Sequence, residues 1–105
     1  MLIQINTDGN IEGNDPLAEE VEATINDSLD RFSGQITRVE IHLSDVNSDQ
    51  NFGVDDKRCL LEARLAGLQP ISASHQAATV ELAVNGAVKK LKRSLDSTLG
   101  RLDSR

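Results

Sequence analysis

Apolar positions follow two different periods along this chain. Near its start Ile3 and Ile5 alternate with Gln4 and Asn6, which predicts a short strand with one apolar face. The turn Thr7-Asp8-Gly9-Asn10 follows, and Asn14-Asp15-Pro16 reads as a helix start. Asn14 or Asp15 can cap, Pro16 suits the first helical position, and Glu19 and Glu20 lie in the first turn, where negative charge is favoured. Leu17, Val21, Ile25, Leu29 and Phe32 then recur at spacings of four and three, predicting a helix of about 17 residues with a single apolar stripe. Gly34 is placed to end it as a left-handed cap.

The period returns to two in Ile36-Thr37-Arg38-Val39-Glu40-Ile41-His42-Leu43-Ser44, with Val39, Ile41 and Leu43 on one side and Arg38, Glu40 and His42 on the other. Residues 45–56 are polar and acidic, a loop. A third strand runs from Lys57 to Leu65, with Cys59, Leu61, Ala63 and Leu65 on its apolar face. Ala66-Gly67-Leu68 turns the chain, and Ile71 and Ala73 mark a fourth strand with Pro70 at its start, where a missing N–H is tolerated. A long helix from about Thr79 to Leu102 carries the stripe Val80, Val84, Ala87, Val88, Leu91, Leu95, Leu99 and Leu102.

The expected order is β-α-β-β-β-α, an α+β fold of two layers. Both helices cover one face of a four-stranded mixed sheet, and the other face meets water. The first two strands pair in parallel through a right-handed crossover, and the last three form an antiparallel meander. The open face is expected to carry Gln4, Arg38, Glu40, His42, Arg58, Leu60, Glu62, Arg64, Ser72 and Ser74.

At 105 residues the chain reads as a single domain, 1–105, large enough to fold without staples. The lone Cys59 rules out an internal disulfide framework and fits a reducing compartment. No apolar run approaches the roughly 20 residues of a membrane span, and the first residues lack the basic and apolar regions of a signal peptide. A soluble cytoplasmic monomer is the expectation. With no Trp or Tyr and two Phe, base recognition by aromatic stacking is nearly excluded.

Charge changes this picture. The net charge is -6, yet residues 1–56 hold thirteen acids and two bases, whereas residues 57–105 hold four acids and nine bases. The first part is therefore at -11 and the second at +5, a bipolar surface rather than a uniformly acidic one.

Candidate chemistry is sparse. In the loop 45–56, Asp45, Asn47, Asp49 and Asn51 occupy calcium-loop positions, but Gln50 replaces the turn glycine, Asp56 replaces the bidentate glutamate, and the flanks are strands. A solvated hairpin loop accounts for the same residues. His42, His75 and Cys59 do not have zinc-site spacing. Cys59 alternates onto the apolar face, as a small buried hydrophobe does. No glycine-rich phosphate loop or nucleophile elbow is present. Glu40 and Glu62 can face each other across strands, but among arginines on a wet sheet they read as ion-pair partners of Arg38, Arg58 or Arg64. Nothing supports an enzyme, a cofactor, a metal or a small-molecule substrate.

The basic run Lys89-Lys90-Leu91-Lys92-Arg93 remains. On a helical wheel Lys89 and Arg93 lie opposite Leu91, with Lys90 and Lys92 on the flanks. Cations here complement the helix dipole, and clustered cations without aromatics also suit phosphate binding.

These residues carry a resemblance. Ile36 to Ser44 resembles the second strand of the short ribosome hibernation factors, the HPF/RaiA (YfiA) family. Asp56-Lys57-Arg58-Cys59-Leu60-Leu61-Glu62-Ala63-Arg64, followed by Pro70, resembles a ribosome-associated subgroup of that family, and Lys90-Leu91-Lys92-Arg93-Ser94-Leu95 resembles its pattern Lys-Leu-x-Arg-x-Leu. The resemblance implies a fold similar to the double-stranded RNA-binding domain. It implies a cytoplasmic stress protein that silences translation by binding the small ribosomal subunit and its 16S ribosomal RNA. Lys90 and Arg93 are then the first candidates for RNA contact, with Lys89 and Lys92 beside them, followed by Arg58, Arg64, Arg38 and His42. The chain departs from the family where lysines are common in the first helix, since Asn26-Asp27-Ser28-Leu29-Asp30-Arg31 holds one base. A non-enzymatic interaction module of the same fold, docking a basic partner on Glu19, Glu20, Glu22 or Asp27, is the second reading.

Overall fold

A computed structural model describes residues 1–8, 15–45 and 56–103. The calcium-loop pattern proposed from the sequence falls almost wholly at 46–55, outside the described residues. The elements are β1 (Leu2–Thr7), α1 (Asp15–Leu29), a 3-10 turn (Asp30–Phe32), β2 (Ile36–Asp45), β3 (Lys57–Leu65), β4 (Ile71–Ala77) and α2 (Val80–Asp103). The sheet order is β1-β2-β3-β4. β1 runs parallel to β2, and the β2–β3 and β3–β4 pairs are antiparallel, as the order of elements predicts.

The alternation in β2 and β3 has the expected effect. Val39, Ile41, Cys59, Leu61 and Ala63 are 0% exposed. The helix stripes close on this face through Val21, Ile25 and Leu29 of α1 and Val84, Val88, Leu91 and Leu95 of α2, all in one apolar cluster with the sheet. Each fully buried Leu or Ile contributes about 1.5–3 kcal/mol relative to exposure. α2 packs over β3 and β4, and α1 contacts β1 and α2.

Local chemistry sets the ends of the elements. Thr79 caps α2, its Oγ1 accepting the Leu82 N–H at 3.1 Å. Gly67, with φ +75°, lies in the β3–β4 turn, where Leu68 N–H reaches the Leu65 carbonyl at 3.4 Å. That conformation costs glycine little. Gly34 corrects an expectation: it is not left-handed, since Gly67 is the positive-φ glycine among the described residues. The helix instead tightens into the 3-10 turn, with Ser33 N–H on the Asp30 carbonyl at 3.0 Å and Gln35 N–H on the Phe32 carbonyl at 2.9 Å. These bonds occupy carbonyls that a glycine cap would otherwise serve.

His75 shares the helix-facing side of β4 with Ile71, Ala73 and Ala77, and its ring lies against Gly86 of α2. A Cβ at position 86 would stand 2.1 Å from His75 Cδ2. Glycine therefore lets the helix approach β4. Gly100, by contrast, has nothing within 4 Å of such a Cβ. Gly100→Ala is expected to stabilise the protein by about 0.5–1 kcal/mol through helix propensity. Gly86→Ala gains the same propensity but is expected to lose about 1 kcal/mol net to overpacking. Thermal melts of both variants check this, and His75→Ala is expected to turn the Gly86→Ala effect favourable.

Candidate functional site

The strand register arranges the open face of the sheet in rows. Arg38 pairs with Arg64, Glu40 with Glu62, His42 with Leu60 and Ser44 with Arg58. Gln4 extends the Glu40 row through β1, and Ser72 and Ser74 extend the Glu62 and Leu60 rows through β4. Every residue expected on this face is there.

Two like-charged rows lie side by side, and they neutralise each other. Arg64 reaches Glu62 at 3.1 Å and Glu40 at 3.4 Å, while Arg38 reaches Glu40 at 3.4 Å. Arg38 also donates to the Gln4 side-chain oxygen. Opposed Glu40 and Glu62 would repel without these guanidinium groups. The carboxylates thus form no acid–base pair, and the charges of Arg38 and Arg64 are balanced within the protein. His42 is exposed, and Arg58 has no ion pair among the described residues.

At the end of the same hairpin Lys57 bridges Asp56 at 3.0 Å and Asp45 at 3.1 Å. Hydrogen bonds to Asp56 and then Asp45 hold its ammonium group above its ordinary 10.5. The raised value means that the interaction is complete below the ordinary lysine range and disappears only as strong alkali removes the proton. Arg31 is likewise occupied, with its guanidinium 2.8 Å from Asp96 on α2 and 4.3 Å above the Phe32 ring centroid.

Among the described residues, the cations without a carboxylate partner are Arg58, Lys89, Lys90, Lys92, Arg93 and Arg101. All but Arg58 belong to α2. Lys89 and Arg93 project from its exposed side, and Lys92 is half-buried. Lys90 turns toward the sheet, where its Nζ donates to the Ser74 backbone oxygen at 3.1 Å. A lysine against the carbonyl of an edge strand also discourages further strand pairing. The four cations of the basic run therefore divide: Lys89 and Arg93 face outward, and Lys90 and Lys92 flank the helix.

This fold has known counterparts. The family described as sigma 54 modulation protein / S30EA ribosomal protein matches residues 3–103. The chain belongs to that family.

It is the HPF/RaiA family to which the sequence resemblance pointed, and it is ribosome-associated. Among solved structures, this family member is similar to the N-terminal domain of Protein Y from Thermus thermophilus, with a TM-score of 0.72 and 21% identity over 93% of this chain and 99% of that one. It is also similar to a ribosomal subunit interface protein from Coxiella burnetii, with a TM-score of 0.67 and 18% identity over the whole of both chains. At such identities the likeness is one of fold. No curated protein sequence matches.

No helix among the described residues is long and apolar enough to cross a membrane, and these residues contain no cluster of His, Cys, Asp and Glu arranged for a metal. Cys59 is fully buried on the helix-facing side of β3, and burial pushes its thiol up to about 12. It is a protonated core residue, not a nucleophile. Ellman's reagent is expected to leave Cys59 unmodified in the native protein at neutral pH and to react at once in denaturant. Rapid labelling of the folded chain would contradict the packing of β3 under the helices.

Proposed function

We propose that this protein is a cytoplasmic, non-enzymatic translation-silencing factor that binds the small ribosomal subunit, with the outward cations of α2 against 16S ribosomal RNA. The observation that carries the reading is the concentration of cations without carboxylate partners on α2, in a chain of a ribosome-associated family. Backbone phosphates need clustered positive charge, and neutralising them releases counterions. Lys89 and Arg93 are the principal contacts, because both are exposed and neither has an ion pair among the described residues. Lys92 and Lys90 support them from the two flanks.

Arg58 is the strongest candidate on the open sheet, since it has no ion pair among the described residues, and His42 lies in the neighbouring row. Arg38 and Arg64 contribute less, because binding phosphate would require breaking their contacts with Glu40 and Glu62. The protein acts by occupying space on the subunit, without chemistry and without a cofactor, and it does so as a monomer.

Co-sedimentation with ribosomes on sucrose gradients at low and moderate salt tests this. The wild-type chain is expected to travel with the small subunit and to dissociate as salt rises. Lys89→Glu/Arg93→Glu is expected to weaken binding at least about tenfold and to flatten its salt dependence. Arg38→Gln is expected to change binding less than about threefold, because that charge is already balanced. Undiminished binding by the double variant would reject this surface.

A further inference from the structure

We infer that the cleft between the N-terminal halves of α1 and α2 docks a basic polypeptide segment, which places one apolar side chain in the cleft and flanking lysines or arginines against Glu20 and Glu81. The two helices lie side by side and are joined farther along by Arg31 and Asp96. Toward their N-termini they leave a cleft of about 230 Å³. Leu17, Val21, Val80 and Val84 form its apolar lining, and Glu20 and Glu81 stand at its edge. Neither carboxylate has an ion pair among the described residues, and no cation lines the cleft.

Size and charge select the occupant. Small-molecule sites commonly enclose about 300–1,000 Å³, and this cleft of about 230 Å³ is smaller. It holds one branched aliphatic side chain with part of a neighbouring lysine stem. Glu81 lies in the first turn of α2, where the helix dipole explains a carboxylate. Glu20 lies beyond the first turn of α1, and the exposed Glu19 and Glu22 add to its charge. RNA phosphates are repelled here, at distances within the roughly 8 Å screening length of physiological salt. A basic segment is attracted, and its apolar residue meets the apolar lining of Val21, Val80 and Val84.

On the ribosome the helix layer then meets two chemistries: RNA at Lys89 and Arg93, and a basic extension of a ribosomal protein at Glu20 and Glu81. This ribosomal part rests on the function proposed above, whereas recognition of the segment by the cleft does not.

The test uses a fluorescent lysine-rich peptide with a central leucine, capped at both ends, titrated into the intact protein at physiological salt and followed by anisotropy. The expected result is saturable binding that weakens about tenfold or more when the leucine is replaced by glycine, since burying it contributes about 1.5–3 kcal/mol. Glu20→Lys/Glu81→Lys and, separately, Ala23→Arg are each expected to lose at least about tenfold. Circular dichroism melts confirm that these variants fold, and Ala23 is an exposed position whose substitution spares the core. Equal binding of the leucine and glycine peptides would reduce the effect to general charge attraction and overturn the inference. So would binding that both variants retain, or occupancy of the cleft by a second copy, seen as self-association that the variants abolish.

Ala23→Cys carrying a thiol-linked photo-crosslinker then reports the neighbour on the ribosome, with the buried Cys59 unreactive. Adducts with a basic ribosomal-protein segment support the inference, and adducts with RNA alone overturn its ribosomal part. A chain that fails to co-sediment rejects the function proposed above, and the peptide titration alone then decides the cleft.

Discussion

Val39, Ile41 and Leu43 on β2, and Cys59, Leu61 and Ala63 on β3, point to the same side of the sheet and are at most 2% exposed. That burial depends on both helices laying their apolar stripes across them. A chain with two phenylalanines and no Trp or Tyr builds its core from aliphatic side chains, so close fit substitutes for large aromatic surface. Gly86 against His75 is one result. The helix reaches β4 only because position 86 carries no side chain.

Commitment of one sheet face to the core sends the charges to two places, the open face and the outer sides of the helices. On the open face, the register sets a row of arginines beside a row of glutamates, and salt bridges balance them. On the helices no such register exists. Among the described residues the carboxylates of α1 and the cations of α2 have no ion pair, and the pair within the helix layer joins Arg31 of the 3-10 turn to Asp96 of α2. The bipolar charge of the sequence thus becomes a helix layer with an acidic region and a basic region, each free to meet a partner of opposite sign.

The acidic total of the chain consequently does not describe the charge that α2 presents. Screening limits each exposed charge to its neighbourhood, so the local sum on α2 matters more than the net -6. The same reasoning ranks the arginines of the open face differently: Arg58 has no ion pair among the described residues, whereas Arg38 and Arg64 direct their charges toward carboxylates. Solved structures that share about a fifth of their residues with this chain have its fold.

Periodicity alone determined the elements, because burial imposes a period of two on β2 and β3 and stripes at helical spacing on α1 and α2. The β3 limits, Lys57 and Leu65, and the start of α2 near Thr79 were legible for the same local reason. So were the residues of the open face and the cations of the basic run, which a helical wheel places correctly about Leu91. Local signals misled at Gly34, where carbonyl bonding in a 3-10 turn replaced the glycine cap. They were silent about His75, although its parity with Ile71 and Ala73 would have placed it on the inner face. Only the tertiary structure decided which cations are spent. Whether an arginine finds a carboxylate depends on strand register, and whether Lys90 finds the Ser74 carbonyl depends on how α2 lies over β4. The cleft between α1 and α2 was equally out of reach, since it joins Val21 to Val84 across distant parts of the chain. Pattern along a chain reports which side of an element is buried, whereas long-range packing selects the neighbour each exposed side chain meets.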